Sequence, residues 1–135
     1  MVRFEGWFTY EEFKEYSRID LPGVYVVAKF KKRPTTVDLL DKNIAYIGET
    51  CGGSLKKRIT NFFRAAKKGK APHSGGKTYF KTFKVNEEKS DVSDVYFAIK
   101  TFPKKDLSDL EIRYLERKLI LEHAKKNGKK LLNLK

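Results

Sequence analysis

From Gly23 to Phe30 the chain reads GVYVVAKF, a β-branched and aromatic run preceded by the breaker Asp20-Leu21-Pro22-Gly23. The run predicts a strand. Alternation puts Tyr25, Val27 and Lys29 on one face and Val24, Val26, Ala28 and Phe30 on the other. NIAYIGE, from Asn43 to Glu49, predicts a second strand, with Ile44, Tyr46 and Gly48 sharing a face. Between the two, Lys31 to Lys42 contains Pro34 and reads as a loop. Period-2 alternation then gives way to helical spacing. Ser54 caps a helix running to about Lys68, whose apolar face is Leu55, Ile59, Phe62 and Ala66, with Arg58 on the border of that stripe. Gly69 to Lys77 reads as a loop, followed by strand-like runs at Lys77–Val85 and Val92–Phe102. Ser108 and Glu111 form a capping box opening a helix that ends at Gly128, and Thr9 with Glu12 forms another, opening a short helix to about Ser17. The tail KKLLNLK needs cover for Leu131, Leu132 and Leu134.

Strands interrupted by helices in this order imply an α+β fold, with helices against a mostly antiparallel, three-stranded central sheet. Residues 21–135 make up this domain, and residues 1–20 are an N-terminal helical extension. With 135 residues the chain can bury one real core. No apolar run approaches the roughly 18 residues of a membrane span, so no membrane role is expected. MVRFEGWFTYEEF lacks the apolar stretch and cleavage site of a secretory leader, and a single cysteine, Cys51, fits a reducing compartment. The expected location is the cytoplasm.

Charge narrows the choice of partner. Thirty Lys and Arg against seventeen Asp and Glu give +13, and the excess is unevenly placed. Between Thr50 and Asn86 there are ten basic residues and no acidic one, among them Lys56, Lys57, Arg64, Lys67, Lys68, Lys70 and Lys77. A solvated helix usually mixes signs; a one-signed stretch repels itself and favours a polyanion. Nucleic acid is the expected partner.

Several candidate chemistries fail. GETCGGSLKK places glycines before a helix start, but a phosphate loop needs Lys-Ser/Thr directly after its last glycine, and Gly53 is followed by Ser54-Leu55. Cys51 has no neighbouring histidine in sequence to activate it and reads as a small turn residue. Cys51, His73 and His123 do not have the spacing of a zinc site. His123 lies two turns after Glu116 and reads as a packed neighbour. Glu116 itself is unusual: in RYLERKLILEH it occupies an apolar face, with Ile112 one turn before and Leu119 and Ile120 one turn after. A carboxylate there needs a partner. Tyr25 and Tyr46 in strands would ordinarily be core residues. Arg58 and Glu116, both charged and both at apolar helix faces, change that reading, because a common cleft makes each less costly.

GVY (Gly23–Tyr25), AYIGET with Tyr46–Gly48, SLKKRI with Arg58, YLERKLI with Glu116 and LLN with Asn133 follow one another in an order that resembles the GIY-YIG nuclease family. The resemblance covers about residues 21–135. It implies hydrolysis of DNA phosphodiester bonds assisted by one divalent cation, Mg²⁺ or Mn²⁺, with Glu116 as the metal-binding carboxylate. It also implies that Tyr25 and Tyr46 line the same cleft, one of them as general base, that Arg58 clamps the phosphate, and that Asn133 braces the site. A hard cation prefers oxygen ligands, which would supply the partner Glu116 lacks.

Three departures from the family's pattern carry consequences. Val24 replaces isoleucine, which is harmless. Twenty residues separate Tyr25 from Tyr46, implying an extended connection. The position one turn after Arg58, often His or Tyr in the family, is Phe62. His73 is the candidate to take over its proton handling, since a neutral imidazole accepts a proton near pH 7; the alternative is a structural or phosphate-contacting loop histidine. No appended DNA-reading module is present in the sequence, so selectivity is either low or built into the loops at 31–42 and 69–77. RNA as substrate stays open, and the rival reading is a non-catalytic basic nucleic-acid-binding module.

Overall fold

The computed structural model describes residues 2–135. In chain order its elements are β1 (Glu5–Phe8), α1 (Tyr10–Lys14), β2 (Gly23–Lys29), β3 (Ile44–Thr50), α2 (Leu55–Lys68), α3 (Ser74–Phe83), β4 (Val95–Thr101), α4 (Ser108–Asn127) and a closing 3₁₀ turn (Leu132–Leu134). The α+β class is as expected, but the sheet has four strands, not three, in the order β1-β4-β2-β3 with every pair antiparallel. The added strand comes from the segment expected to be only helical. β1 pairs irregularly with β4, while Phe4 and Trp7 are buried beneath it. Four residues containing Gly6 give no alternation to read, which is why the pattern conceals this strand. The Thr9–Glu12 capping box forms as expected, although α1 is a single short helix ending at Lys14. Phe13 and Ile19 join the core of the remaining chain, so the N-terminal segment is built into the fold.

Alternation along β2 sorts the core into two halves. Tyr25 and Val27 face a cluster with Leu55, Ile59 and Phe62 of α2 and Tyr79 of α3. Val24, Val26 and Ala28 face Ile112, Leu115 and Leu119 of α4. β3 departs from strict alternation: Val27 pairs with Tyr46 but Ala28 pairs with Ile44, so Ala45 is a bulge. Ile44 consequently joins the α4 side, and does not share Tyr46's face as simple alternation predicts.

The capped helix at Ser54–Lys68 forms as read, its Ser54 side chain accepting the Lys57 amide and Gly69 closing it at φ 74. Two readings are overturned. The run at Lys77–Val85 is not a strand: it continues α3, which starts at Ser74 inside the expected loop. Its threonines and aromatics carry β propensity, yet Gly75, Gly76, Tyr79 and Phe83 recur at helical spacing, and packing on α2 decides. Thr78 and Thr82 hydroxyls donate to carbonyls one turn back, at 3.0 and 2.8 Å. The Ser108–Glu111 box does not form either: Leu107 is the cap residue, and the Ser108 hydroxyl donates to the Pro103 carbonyl at 2.7 Å. α4 nonetheless ends before Gly128 as read.

Among the described residues, no helix is long and apolar enough to cross a membrane.

Candidate active site

Tyr25 sits at the middle of β2 with its side chain fully buried, directly opposite Gly48 of β3. A Cβ on Gly48 would overlap the Tyr25 ring and hydroxyl. The glycine of the YIG motif is thus the space into which the first tyrosine's ring lies. Tyr46, two residues earlier on β3, brings its ring to 6.1 Å from that of Tyr25. Gly75, in the first turn of α3, performs the same service for Tyr46, because a side chain there would strike that ring.

His73, buried at the start of α3, completes the cluster. Its Nε2 is 2.6 Å from the Tyr25 hydroxyl, and its ring lies 5.5 Å from Tyr46 and 5.1 Å, edge-on, from Phe62. Its Nδ1 accepts the Gly76 amide at 3.1 Å and so caps the helix. A neutral imidazole has one N–H, so with Nδ1 accepting, the proton is on Nε2 and is donated to the Tyr25 oxygen. The structure therefore brings His73 to the tyrosines, but not as the proton acceptor near pH 7 that its isolated chemistry suggests. Burial, and then the charge of Arg58, pull its pKa down to about 4.

Arg58 lies on α2 one turn before Phe62, half-buried. Glu116 lies half-buried on α4. Both act on both tyrosines. Burial raises the Tyr25 pKa well above its ordinary value, followed by the neighbouring Tyr46; Arg58 opposes this by charge and hydrogen bonding, and Glu116 adds to it. Burial also raises Tyr46, with Arg58 pulling down, Glu116 pushing up and a hydrogen bond from Tyr25 pulling down. Arg58 on α2 and Glu116 on α4 thus both exert their charge on the tyrosine pair of β2 and β3, although α2 and α4 pack on opposite faces of the sheet.

Asn133 is beside this cluster, not in it. Its side-chain amide donates to the Ile47 carbonyl at 2.6 Å, and its oxygen accepts the Ile47 amide at 3.0 Å. One side chain satisfies the exposed edge of β3 between Tyr46 and Gly48, which is a bracing position. Leu131 and Leu132, immediately before it, feed opposite halves of the core and anchor it.

Sequence reasoning does not single out Glu49, the residue after the YIG motif. Burial, then the charge of Glu49, raise the Glu116 pKa, with Arg117 in partial opposition. No cation forms an ion pair with either carboxylate among the described residues. Two nearby carboxylates without a counter-charge fit a hard divalent cation. Among the described residues no group of three or more His, Cys, Asp or Glu side chains forms a metal cage. The Cys51 thiol donates to Glu49 at 2.9 Å; burial and that carboxylate push its pKa up to about 12, which disfavours the thiolate. His123 is a packed neighbour, donating from Nε2 to the Asp41 carbonyl at 2.9 Å.

Lys56, Lys57, Arg64, Lys67 and Lys68 on α2, Lys70 in the following loop and Lys77 on α3 are all exposed. None is ion-paired among the described residues. Arg64, Lys67, Lys68 and Lys70 line a groove of about 830 Å³ together with Tyr10, Glu11 and Lys14.

Searches with the chain against protein-family models, curated proteins and solved structures find no match.

Proposed function

We propose that this protein is a divalent-metal-dependent endonuclease of GIY-YIG type that hydrolyses DNA phosphodiester bonds. The observation that carries the reading is the approach of Tyr25 to Tyr46 across β2 and β3, with Arg58 and Glu116, distant in sequence, both bearing by charge on the two hydroxyls.

In this reading Glu116, helped by the field of Glu49, would hold Mg²⁺ or Mn²⁺, which would supply charge to neutralise the phosphate and support the departing oxygen. Arg58 grips the phosphate through its planar donor fork. Water adds its oxygen to phosphorus as the bond to the leaving deoxyribose oxygen breaks, and the proton lost by water needs an acceptor. Tyr46 is the better placed tyrosine, since it is only partly buried while the Tyr25 oxygen is already held by His73. Burial keeps Tyr46 protonated in the free protein, so it can act as a base only once positive charge near it outweighs desolvation. Tyr25 and His73 then position Tyr46. The unpaired cations along α2 would follow the phosphate backbone, adding affinity and no sequence choice.

The deciding experiment is plasmid nicking with Mg²⁺ or Mn²⁺, wild type beside Glu116→Ala, with DNA binding measured in parallel. Metal-dependent nicks by wild type alone, with binding retained in the variant, support the reading. Equal nicking by both proteins overturns it. A second reading, a non-catalytic nucleic-acid-binding module, draws on one observation: the shifts in the cleft hold its groups uncharged near neutral pH, with His73 pulled down and both tyrosines pushed up. It predicts salt-sensitive binding and no nicks with any divalent ion, on plasmid, branched or RNA substrates.

A further inference from the structure

We propose that the groove between α1 and α2 holds an unpaired strand of nucleic acid, with its phosphates on the cations of α2 and a base against the rings of Tyr10 and Phe63. The proposal rests on the nucleic-acid partner inferred above and not on cleavage. The groove exists because the N-terminal segment docks on α2. The Tyr10 ring stacks on Phe63, with centroids 4.2 Å apart and an interplanar angle of 8°, and its hydroxyl donates to the Thr60 hydroxyl at 3.0 Å. Both rings are only partly buried, and both line the groove. Phe62, one residue back, instead packs against Tyr46 and His73, so α2 turns one aromatic to the cleft and its neighbour to the groove.

Charge narrows the occupant to a polyanion. Arg64, Lys67 and Lys68 stand three and four residues apart and so share one edge of α2, and Gly69, at φ 74, turns the chain so that Lys70 joins them. The negative end of the helix dipole accounts for cations at Lys67 and Lys68, but not for Arg64 a turn earlier or Lys70 beyond the cap. All four are exposed, and none is ion-paired among the described residues. Glu11 also lines the groove, but Lys14 neutralises it at 2.7 Å. The rings then choose between polyanions. A duplex turns its phosphates outward and keeps its bases stacked inside, which leaves Tyr10 and Phe63 without a partner. A run of carboxylates has no planar face to offer them. An unpaired strand brings both phosphates and bases, and stacking tolerates any base. Arg58 lies six residues before Arg64, about 9 Å along α2, so a strand held here runs beside the cleft.

The test is fluorescence anisotropy of the full chain at about 0.15 M salt. The probes are a labelled oligothymidine of about 10 nucleotides, an abasic strand of the same length, and a duplex. Wild type should bind the thymidine strand about fivefold or more tighter than the abasic one, the worth of one stacked base. Phe63→Leu should abolish that difference, and Phe63→Tyr should keep it. Lys67→Ala should weaken both strands equally and leave the difference in place. Each variant is compared with itself on two strands, so a partial loss of folded protein cancels. Equal binding of the two strands by wild type overturns the proposal, as does a Phe63→Leu protein that still prefers thymidine. Displacement by polyglutamate as readily as by unlabelled thymidine strand also overturns it, in favour of an acidic protein. Binding of the duplex without binding of either single strand overturns the groove's role and leaves the nucleic-acid reading standing. No binding of any of the three overturns both.

Discussion

The Nε2 of His73 lies 2.6 Å from the Tyr25 hydroxyl, while its Nδ1 takes the Gly76 amide, so one imidazole ties the central strand to the start of α3. Removing it leaves a buried hydroxyl without its donor and a helix without its cap. His73→Ala should cost about 2–4 kcal/mol, the sum of a lost cap and an unsatisfied buried group. His73→Asn can still accept the Gly76 amide and should recover roughly 1 kcal/mol of that. Urea unfolding of the three proteins separates the cap from the tyrosine contact; equal losses for Ala and Asn would show that the cap contributes nothing.

The same residue makes stability depend on pH in a definite direction. His73 titrates at about 4 in the folded chain, against an ordinary 6.5 when unfolded. Above pH 6.5 neither state takes up the proton, and this site's contribution is fully present. Between 6.5 and 4 the unfolded chain binds it more readily, so stability falls as pH falls, by up to about 1.4 kcal/mol per unit. Other groups titrate nearby, so the measurement is a difference: wild type minus His73→Asn, by chemical denaturation from pH 7 to 4. A difference that stays flat across this range would rule out the buried neutral imidazole.

Much of this site is legible in the sequence because it rests on local chemistry. Tyr25, Tyr46, Arg58 and Glu116 each lie on an element that periodicity predicts, and those elements form, although the capping box expected at Ser108 does not. What the sequence conceals is long-range. The bulge at Ala45 turns Ile44 away from Tyr46, and nothing in NIAYIGE announces an extra residue. The run after Gly76 has the composition of a strand and folds as a helix because two glycines let it settle against α2 and Tyr46. β1 is too short to show a period, and is recruited by the free edge of β4. His73 shows the limit most clearly: its proton affinity depends on burial and on Arg58, which no tripeptide reports.

Glycine at 48 is a packing requirement as well as a motif letter. Gly48→Ala should push the Tyr25 ring from its seat and cost about 1–3 kcal/mol, the usual range for overpacking a filled core. Gly52→Ala is the control, since a Cβ there meets nothing within 4 Å. Thermal melts of both variants test this. If Gly48→Ala melted with wild type, the close fit of Tyr25 over Gly48 would be wrong.

Asn133 closes the edge of β3 through two hydrogen bonds to Ile47. Asn133→Ala leaves both backbone groups to water and should cost about 1–3 kcal/mol. It should also release the Ile47 amide to exchange, because local opening of that edge no longer breaks a side-chain clasp. Hydrogen exchange at Ile47 distinguishes a local clasp from a global loss: acceleration beyond that of the core amides of β2 is expected, and uniform acceleration would count against a bracing role.

The exposed cations of α2 and the groove beside it should show themselves through salt. If Arg64 and Lys68 each neutralise one DNA phosphate, replacing either with alanine should lower the slope of log affinity against log salt by about 0.9. The loss should be similar for unrelated sequences, because backbone contacts do not read bases. Arg58→Ala should behave differently, since Arg58 is half-buried against the tyrosines and not part of the exposed row. Its removal should reduce turnover far more than affinity, with little change in the salt slope. Fluorescence anisotropy across a salt series, beside single-turnover cleavage, reads both quantities. An Arg58→Ala protein that lost affinity and slope like Arg64→Ala would move Arg58 from the reacting phosphate to the tracking surface.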